Sequence, residues 1–143
     1  MNGKNKKISV IIPALNEEKS ISLVISDLPK NIVDEIIVVD NGSSDNTASA
    51  AERAGAKVVR EETKGYGAAC QRGIFSAKAP DITVILDADY SDYPDRINLL
   101  LEPIVDQGFD MVLGSRTMGN AKEGSLTLPQ VIGNRLATFL IAL

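Results

Sequence analysis

Short apolar runs alternate along this chain with stretches whose apolar residues recur at helical spacing. Ile8-Ser9-Val10-Ile11-Ile12, Glu35-Ile36-Ile37-Val38-Val39-Asp40, Ala56-Lys57-Val58-Val59-Arg60, Ile82-Thr83-Val84-Ile85-Leu86 and Asp110-Met111-Val112-Leu113-Gly114 read as five strands. Pro13 is expected to end the first. Asn16-Glu17-Glu18 predicts a helix start, with Asn16 as cap and two acids in the first turn. Ile21, Val24, Ile25 and Leu28 form its buried stripe, and Pro29 stops it. Ser44 is placed to cap a second helix from Asp45 to Ala54, with Gly55 as its stop. Lys64-Gly65-Tyr66-Gly67 reads as a loop leading into an Ala-rich helix from Ala68 to Ala79. Pro94 suits the first position of a helix running to Gln107, which Pro103 should kink or split and Gly108 should end. Residues 117–127 are polar and aperiodic, and a closing helix begins near Pro129.

Strand and helix alternate throughout, which implies right-handed crossovers and a mostly parallel sheet with helices on both faces. The fourth strand shows no alternation and reads as covered on both faces. It runs into Asp87-Ala88-Asp89. If strand geometry persists through Asp89, both carboxylates point the same way. Ligands of open α/β sheets bind beyond the carboxyl ends of the strands, and three strands end there in polar residues: Pro13-Ala14-Leu15-Asn16-Glu17, Asp40, and Asp87-Ala88-Asp89. The first strand-to-helix turn lacks Gly-x-Gly-x-x-Gly, and its glutamates would repel a pyrophosphate. That turn therefore suits a base and ribose, with phosphates near Asp87 and Asp89. A divalent ion, Mg²⁺ or Mn²⁺, must then lie between the two negative groups. A bland alternative stands beside each reading: a solvated acidic turn for the Asp pair, helix-start charge for Glu17 and Glu18, and capping of the 41–44 turn for Asp40.

Composition narrows the chemistry. The 143 residues suffice for one domain with a real core. A net charge of -4 argues against a nucleic-acid surface. There is no histidine, which removes a histidine base and the Ser-His-Asp triad. Cys70 is the only cysteine, so no intrachain disulfide forms, and a small buried hydrophobe is its expected role. The apolar run from Leu136 to Leu143 is far short of the ~20 residues of a membrane span. Two readings of it stay open: a chain truncated from a longer protein, or a terminal helix docked on the sheet or on a second copy in a homodimer.

Five segments in order carry a family resemblance: Ile8 to Glu18, Ile37 to Thr47 (with Asp40-Asn41-Gly42-Ser43-Ser44-Asp45), Lys64-Gly65-Tyr66-Gly67-Ala68-Ala69, Asp87-Ala88-Asp89 and Gly114-Ser115-Arg116. Together they resemble family 2 glycosyltransferases with the GT-A fold, nearest to the dolichyl- or polyprenyl-phosphate sugar synthase branch. The resemblance implies a Rossmann-like GT-A nucleotide-sugar-binding domain over residues 1–143 and a GDP- or UDP-linked sugar donor. It implies base and ribose contacts from Pro13, Ala14, Leu15, Glu17 and Asp40, with Lys64, Gly65 and Ala88 also on the donor. It implies metal and diphosphate contacts from Asp87 and Asp89. Relatives often carry Gln two residues past the second Asp, where this chain has Ser91, with Asp92 beside it. Arg116 could hold a lipid phosphate, its alternative being a surface ion pair. Gly133-Asn134-Arg135 and the apolar run after it resemble the part of this branch that meets the membrane, which implies a cytoplasmic protein or one at the cytoplasmic membrane face.

The expected reaction is an inverting transfer. A lipid phosphate acceptor is already an anion and needs no strong base. A hydroxyl acceptor needs a carboxylate to take its proton, and Asp92 and Glu123 are the local candidates. Asp89, Arg116 and Asp92 are thus the candidate catalytic residues. The rival reading is a nucleotide-sugar-binding half without turnover. A nucleotidyltransferase or nicotinamide dehydrogenase would need a different first turn.

Overall fold

The structure is a computed structural model and describes residues 6–115. Its elements run β1 (Ile8–Ala14), α1 (Ile21–Asp27), β2 (Glu35–Asp40), α2 (Thr47–Arg53), β3 (Lys57–Arg60), α3 (Tyr66–Ser76), β4 (Ile82–Ile85), a 3₁₀ turn (Pro94–Arg96) and α4 (Asn98–Gln107). The strands pair in parallel in the order β3-β2-β1-β4. Winding proceeds outward from β1 to β3, then returns to the other side of β1. The order thus reverses between β1 and β4, and a crevice opens at such a switch point beyond the strand ends. Val112 closes this first unit of the chain, so the expectation of one domain over residues 1–143 reaches beyond what is described.

Two apolar layers hold the sheet. On one face Val10, Ile12, Val38 and Val84 pack with Ile21, Val24, Ile25 and Leu28, with Ala50 and Ala51 of α2, and with Ile97 and Leu101. On the other, Ile11, Ile37 and Val39 pack with Ala69 of α3. The fold is therefore the expected α/β sheet with helices on both faces. Gly73 explains how closely α3 approaches: a Cβ there would lie 2.2 Å from Ile11 Cγ2 and 3.1 Å from Val39 Cγ2.

Several boundaries differ from the sequence expectation, each for a physical reason. Pro13 does not end β1, which continues to Ala14. In a parallel ladder successive residues face opposite neighbours. Ile11 accepts from Leu86 N–H on the β4 side, and Ala14 from Asn41 N–H on the β2 side. Pro13 therefore faces β4, past that strand's last residue Ile85, where no N–H is needed. The first helix begins at Ile21, not at Asn16. Asn16 sits at φ 58°, and its side-chain oxygen accepts from Ser44 N–H at 2.8 Å. It staples two loops rather than capping a helix, and Glu17 and Glu18 fall outside the first turn. Helix α2 likewise begins at Thr47, not at Asp45. Ser44 does not cap it. Asp45 Oδ1 instead accepts the Thr47 N–H at 3.0 Å and the Thr47 hydroxyl. These bonds hold the Asp45 carboxyl below its usual range, the hydroxyl foremost.

Helix α3 starts at Tyr66, two residues before the expected Ala68, and ends at Ser76, three residues before the expected Ala79. Strand β4 stops at Ile85, so strand geometry does not carry through Asp89. It also alternates, with Thr83 exposed and Ile85 43% exposed. The reason is its place at the edge of the sheet formed by the described residues, since α3 lies over β1 and β2. Pro103 neither splits nor stops α4, and the break falls earlier, between the 3₁₀ turn and Asn98. Gly108, at φ 74°, ends the helix as expected. Residues 111–115 form no strand, because nothing among the described residues supplies a ladder to them. Gly73→Ala should cost about 1–3 kcal/mol through overpacking against Ile11 and Val39. Urea denaturation measures this, and unchanged stability would contradict the close helix–sheet contact.

Candidate functional site

Three loops and the start of α3 enclose one cavity of about 530 Å³ at the carboxyl edge of the sheet. That size lies within the ~300–1,000 Å³ typical of small-molecule clefts. Its walls are Pro13, Ala14, Leu15, Asn16 and Glu17 after β1, Asn41 and Gly42 after β2, Lys64 to Tyr66 with Ala69, and Asp87, Ala88 and Asp89 after β4. The site residues expected from sequence thus gather in one place, with three exceptions. Asp40 is 2% exposed and does not line the cavity. Its Oδ1 accepts Ser43 N–H at 3.0 Å, and its Oδ2 lies 3.5 Å from Arg60 Nε, so it caps the 41–44 turn. Asp92 is also outside the lining, and its Oδ2 lies 3.4 Å from the backbone nitrogen of Asp87. Arg116 lies outside the described residues, as do Glu123, Gly133-Asn134-Arg135 and the terminal apolar run.

Sequence reasoning placed Asn16 only as part of the first strand-to-helix turn and gave no site role to Asn41, Gly42, Tyr66 and Ala69, which also line the cavity. Asn41 is 8% exposed. Its side-chain nitrogen donates to the carbonyls of Glu61 and Thr63 at 2.9 and 2.8 Å, and its oxygen accepts Gly65 N–H at 2.8 Å. One carboxamide thereby ties three points of the 61–65 loop to the end of β2. Gly65 needs no Cβ to hold φ 133°, which delivers Tyr66 into α3. The Tyr66 hydroxyl donates to Asp87 Oδ1 at 3.1 Å. Burial and the Asp87 charge push this phenol far above its usual value, so it stays a donor. Burial likewise raises the Cys70 thiol. Asp89 Oδ1 accepts Ser91 N–H at 2.9 Å. Glu17 Oε2 accepts the Ser20 hydroxyl at 2.6 Å, and Glu18 Oε2 accepts Asn46 N–H at 3.0 Å.

The donor chemistry fits a hard divalent ion shared with phosphate. Asp87 and Asp89 share one wall, and among the described residues no three His, Cys, Asp or Glu side chains form a complete metal cluster. Mg²⁺ keeps waters and takes one or two carboxylates plus substrate phosphates, so two carboxylates suffice. Lys64 and the N-terminal end of α3 bring positive potential to the same cavity. No helix among the described residues is long and apolar enough to cross a membrane.

Fold and site define an α/β protein of the GT-A kind. The chain belongs to the family described as "Glycosyl transferase family 2", whose profile matches residues 9–142. It is 33% identical over 156 residues to the UDP-N-acetylglucosamine–dolichyl-phosphate N-acetylglucosaminyltransferase of Methanococcus voltae, covering 95% of this chain and 62% of that protein. It is 33% identical over 144 residues to the dolichyl-phosphate hexose transferase of Haloferax volcanii, covering 94% of this chain and 59% of that protein. Among solved structures it is similar to glucosyl-3-phosphoglycerate synthase from Mycobacterium tuberculosis in complex with Mn²⁺, UDP and glucosyl-3-phosphoglycerate. That likeness has TM-score 0.64 and 35% identity, covering 71% of this chain and 40% of that one. The same enzyme is also known with Mg²⁺ and UDP. The chain spans about three fifths of the length of these two curated relatives. The family resemblance and fold class read from sequence are borne out, and the expected ions agree with those bound by the structural neighbour.

The Asn41 clamp makes a direct prediction. Asn41→Ala should cost about 1–3 kcal/mol by stranding the groups it pairs, and amide exchange at Gly65 should accelerate. Hydrogen exchange by mass spectrometry over residues 61–66 checks this, and unchanged protection would contradict the clamp.

Proposed function

We propose that this chain is the donor-binding part of an inverting glycosyltransferase that takes a UDP- or GDP-linked sugar, uses Mg²⁺ or Mn²⁺, and passes the sugar to a polyprenyl phosphate at a cytoplasmic membrane face. The observation that carries this reading is the cavity at the β1/β4 switch point, which brings Asp87, Asp89, Lys64 and the opening of α3 together. Pro13, Ala14, Leu15 and Glu17 form the base and ribose side. Asp87 and Asp89 hold the ion, which supplies neutralising charge to the departing diphosphate. Lys64, Gly65 and Ala88 border the diphosphate and sugar. Asp40 acts from beneath, holding the 41–44 turn in shape. Arg116 holds the acceptor phosphate.

In the transfer an acceptor oxygen forms a bond to the anomeric carbon from the side opposite the diphosphate. The bond from that carbon to the diphosphate oxygen breaks, and the nucleoside diphosphate leaves with the electron pair. A phosphate acceptor brings its own negative oxygen, which suits a chain without histidine. The names of the two dolichyl-phosphate relatives support this acceptor. A second reading, transfer to a hydroxyl with Asp92 or Glu123 as base, is favoured by the structural neighbour, which is also known with Mn²⁺, UDP and phosphoglyceric acid.

Calorimetry with UDP and GDP tests the binding half of this reading. Binding in Mn²⁺ should weaken about tenfold or more, at least ~1.4 kcal/mol, on adding EDTA or in Asp89→Ala. Affinity indifferent to both changes would overturn the metal-bridged reading.

A further inference from the structure

We propose that Tyr66 is a positioning residue for the cation site, its hydroxyl setting the orientation of the Asp87 carboxylate before ion and diphosphate arrive. This rests on the donor-binding reading above. Asp87 follows β4 by two residues and lies outside the ladder, so no strand pairing holds it. Contacts from elsewhere in the chain hold it instead. The Tyr66 hydroxyl reaches Oδ1 at 3.1 Å from 21 residues away, and Asp92 Oδ2 lies 3.4 Å from the backbone nitrogen.

Tyr66 can do this because its own place is set twice. It is the first residue of α3, and the residue before it, Gly65, is fastened to Asn41 through its N–H. Asn41 in turn follows β2 directly and is nearly buried. A chain of contacts therefore runs from the end of β2, through Asn41 and Gly65, to the phenol and on to the carboxylate after β4. Both ends of this chain line the same cavity. A carboxylate that binds a metal gains affinity when a neighbouring donor fixes its rotation, because less freedom is lost on binding. The Tyr66 ring is itself 58% exposed, so its removal opens little core, and the hydroxyl can be deleted without disturbing packing.

The test is Tyr66→Phe, which keeps the ring and removes only the donor. Mn²⁺ affinity is measured by electron paramagnetic resonance on the chain with saturating UDP, and UDP affinity by calorimetry in EDTA. The expected result is Mn²⁺ binding about 10-fold weaker or more, within the 10–100-fold range for groups that orient metal ligands. The loss of Mn²⁺ affinity should exceed any loss of UDP affinity in EDTA, and the melting temperature should not change. A role limited to folding would lower the melting temperature and leave the affinity of the folded fraction for Mn²⁺ intact, which overturns the proposal. Equal Mn²⁺ affinity in variant and wild type overturns it too, while leaving the donor-binding reading standing. Wild-type chain that binds no Mn²⁺ in the presence of UDP or of GDP removes both.

Discussion

Parallel pairing is the constraint on which the rest depends. Because β1, β2 and β4 all run the same way, their ends fall at one edge, and every connection that leaves them starts there. The backbone groups freed at that edge must find partners outside the ladder. They find them in side chains from other segments: Thr47 Oγ1 accepts the Glu17 N–H at 2.7 Å, Ser43 Oγ accepts the Asn16 N–H at 3.0 Å, and Asn41 binds three points of the 61–65 loop. The same bonds that satisfy the edge also build a rigid cup. The reversal of strand order between β1 and β4 leaves the opening of that cup free for a ligand.

Polar residues in this region divide into two groups by what they touch. Asp40 accepts a bond within its own turn, Asp45 and Glu18 accept bonds across the two loops, and Asn16 does so while also lining the cavity; together they shape the cup. Lys64, Asp87 and Asp89 stand in its wall with charge suited to a cation-bridged diphosphate. The division matters because acidic residues of both kinds look alike in sequence. Asp40 and Asp87 each close an apolar run, yet one is buried beneath a turn beside Arg60 and the other lines the cavity.

The sheet was legible in the sequence because its apolar runs are dense. Strand β2 begins and ends at the expected residues, Glu35 and Asp40. Legibility failed where a distant partner overrides a local preference. Asn16 has the composition of a helix cap, but Ser43 and Ser44, 27 and 28 residues away, draw it into a left-handed turn. Pro13 reads as a strand stop, but β4 has already ended beside it. Ile85 reads as covered on both faces, but it lies on an edge strand. The carboxylates of the cavity were visible as a motif. Asn41 and Tyr66 stood in family segments too, but their roles were not legible, since these arise only when segments 20 or more residues apart meet.

In the proposed reading, an ion held by Asp87 and Asp89 joins this cup to a nucleotide diphosphate. A crystal structure of the chain grown with Mn²⁺ and UDP, with anomalous scattering to locate manganese, tests it most directly. One manganese peak is expected within bonding distance of an Asp87 or Asp89 oxygen and of the diphosphate. A diphosphate bound away from both carboxylates, with no manganese between, would contradict it.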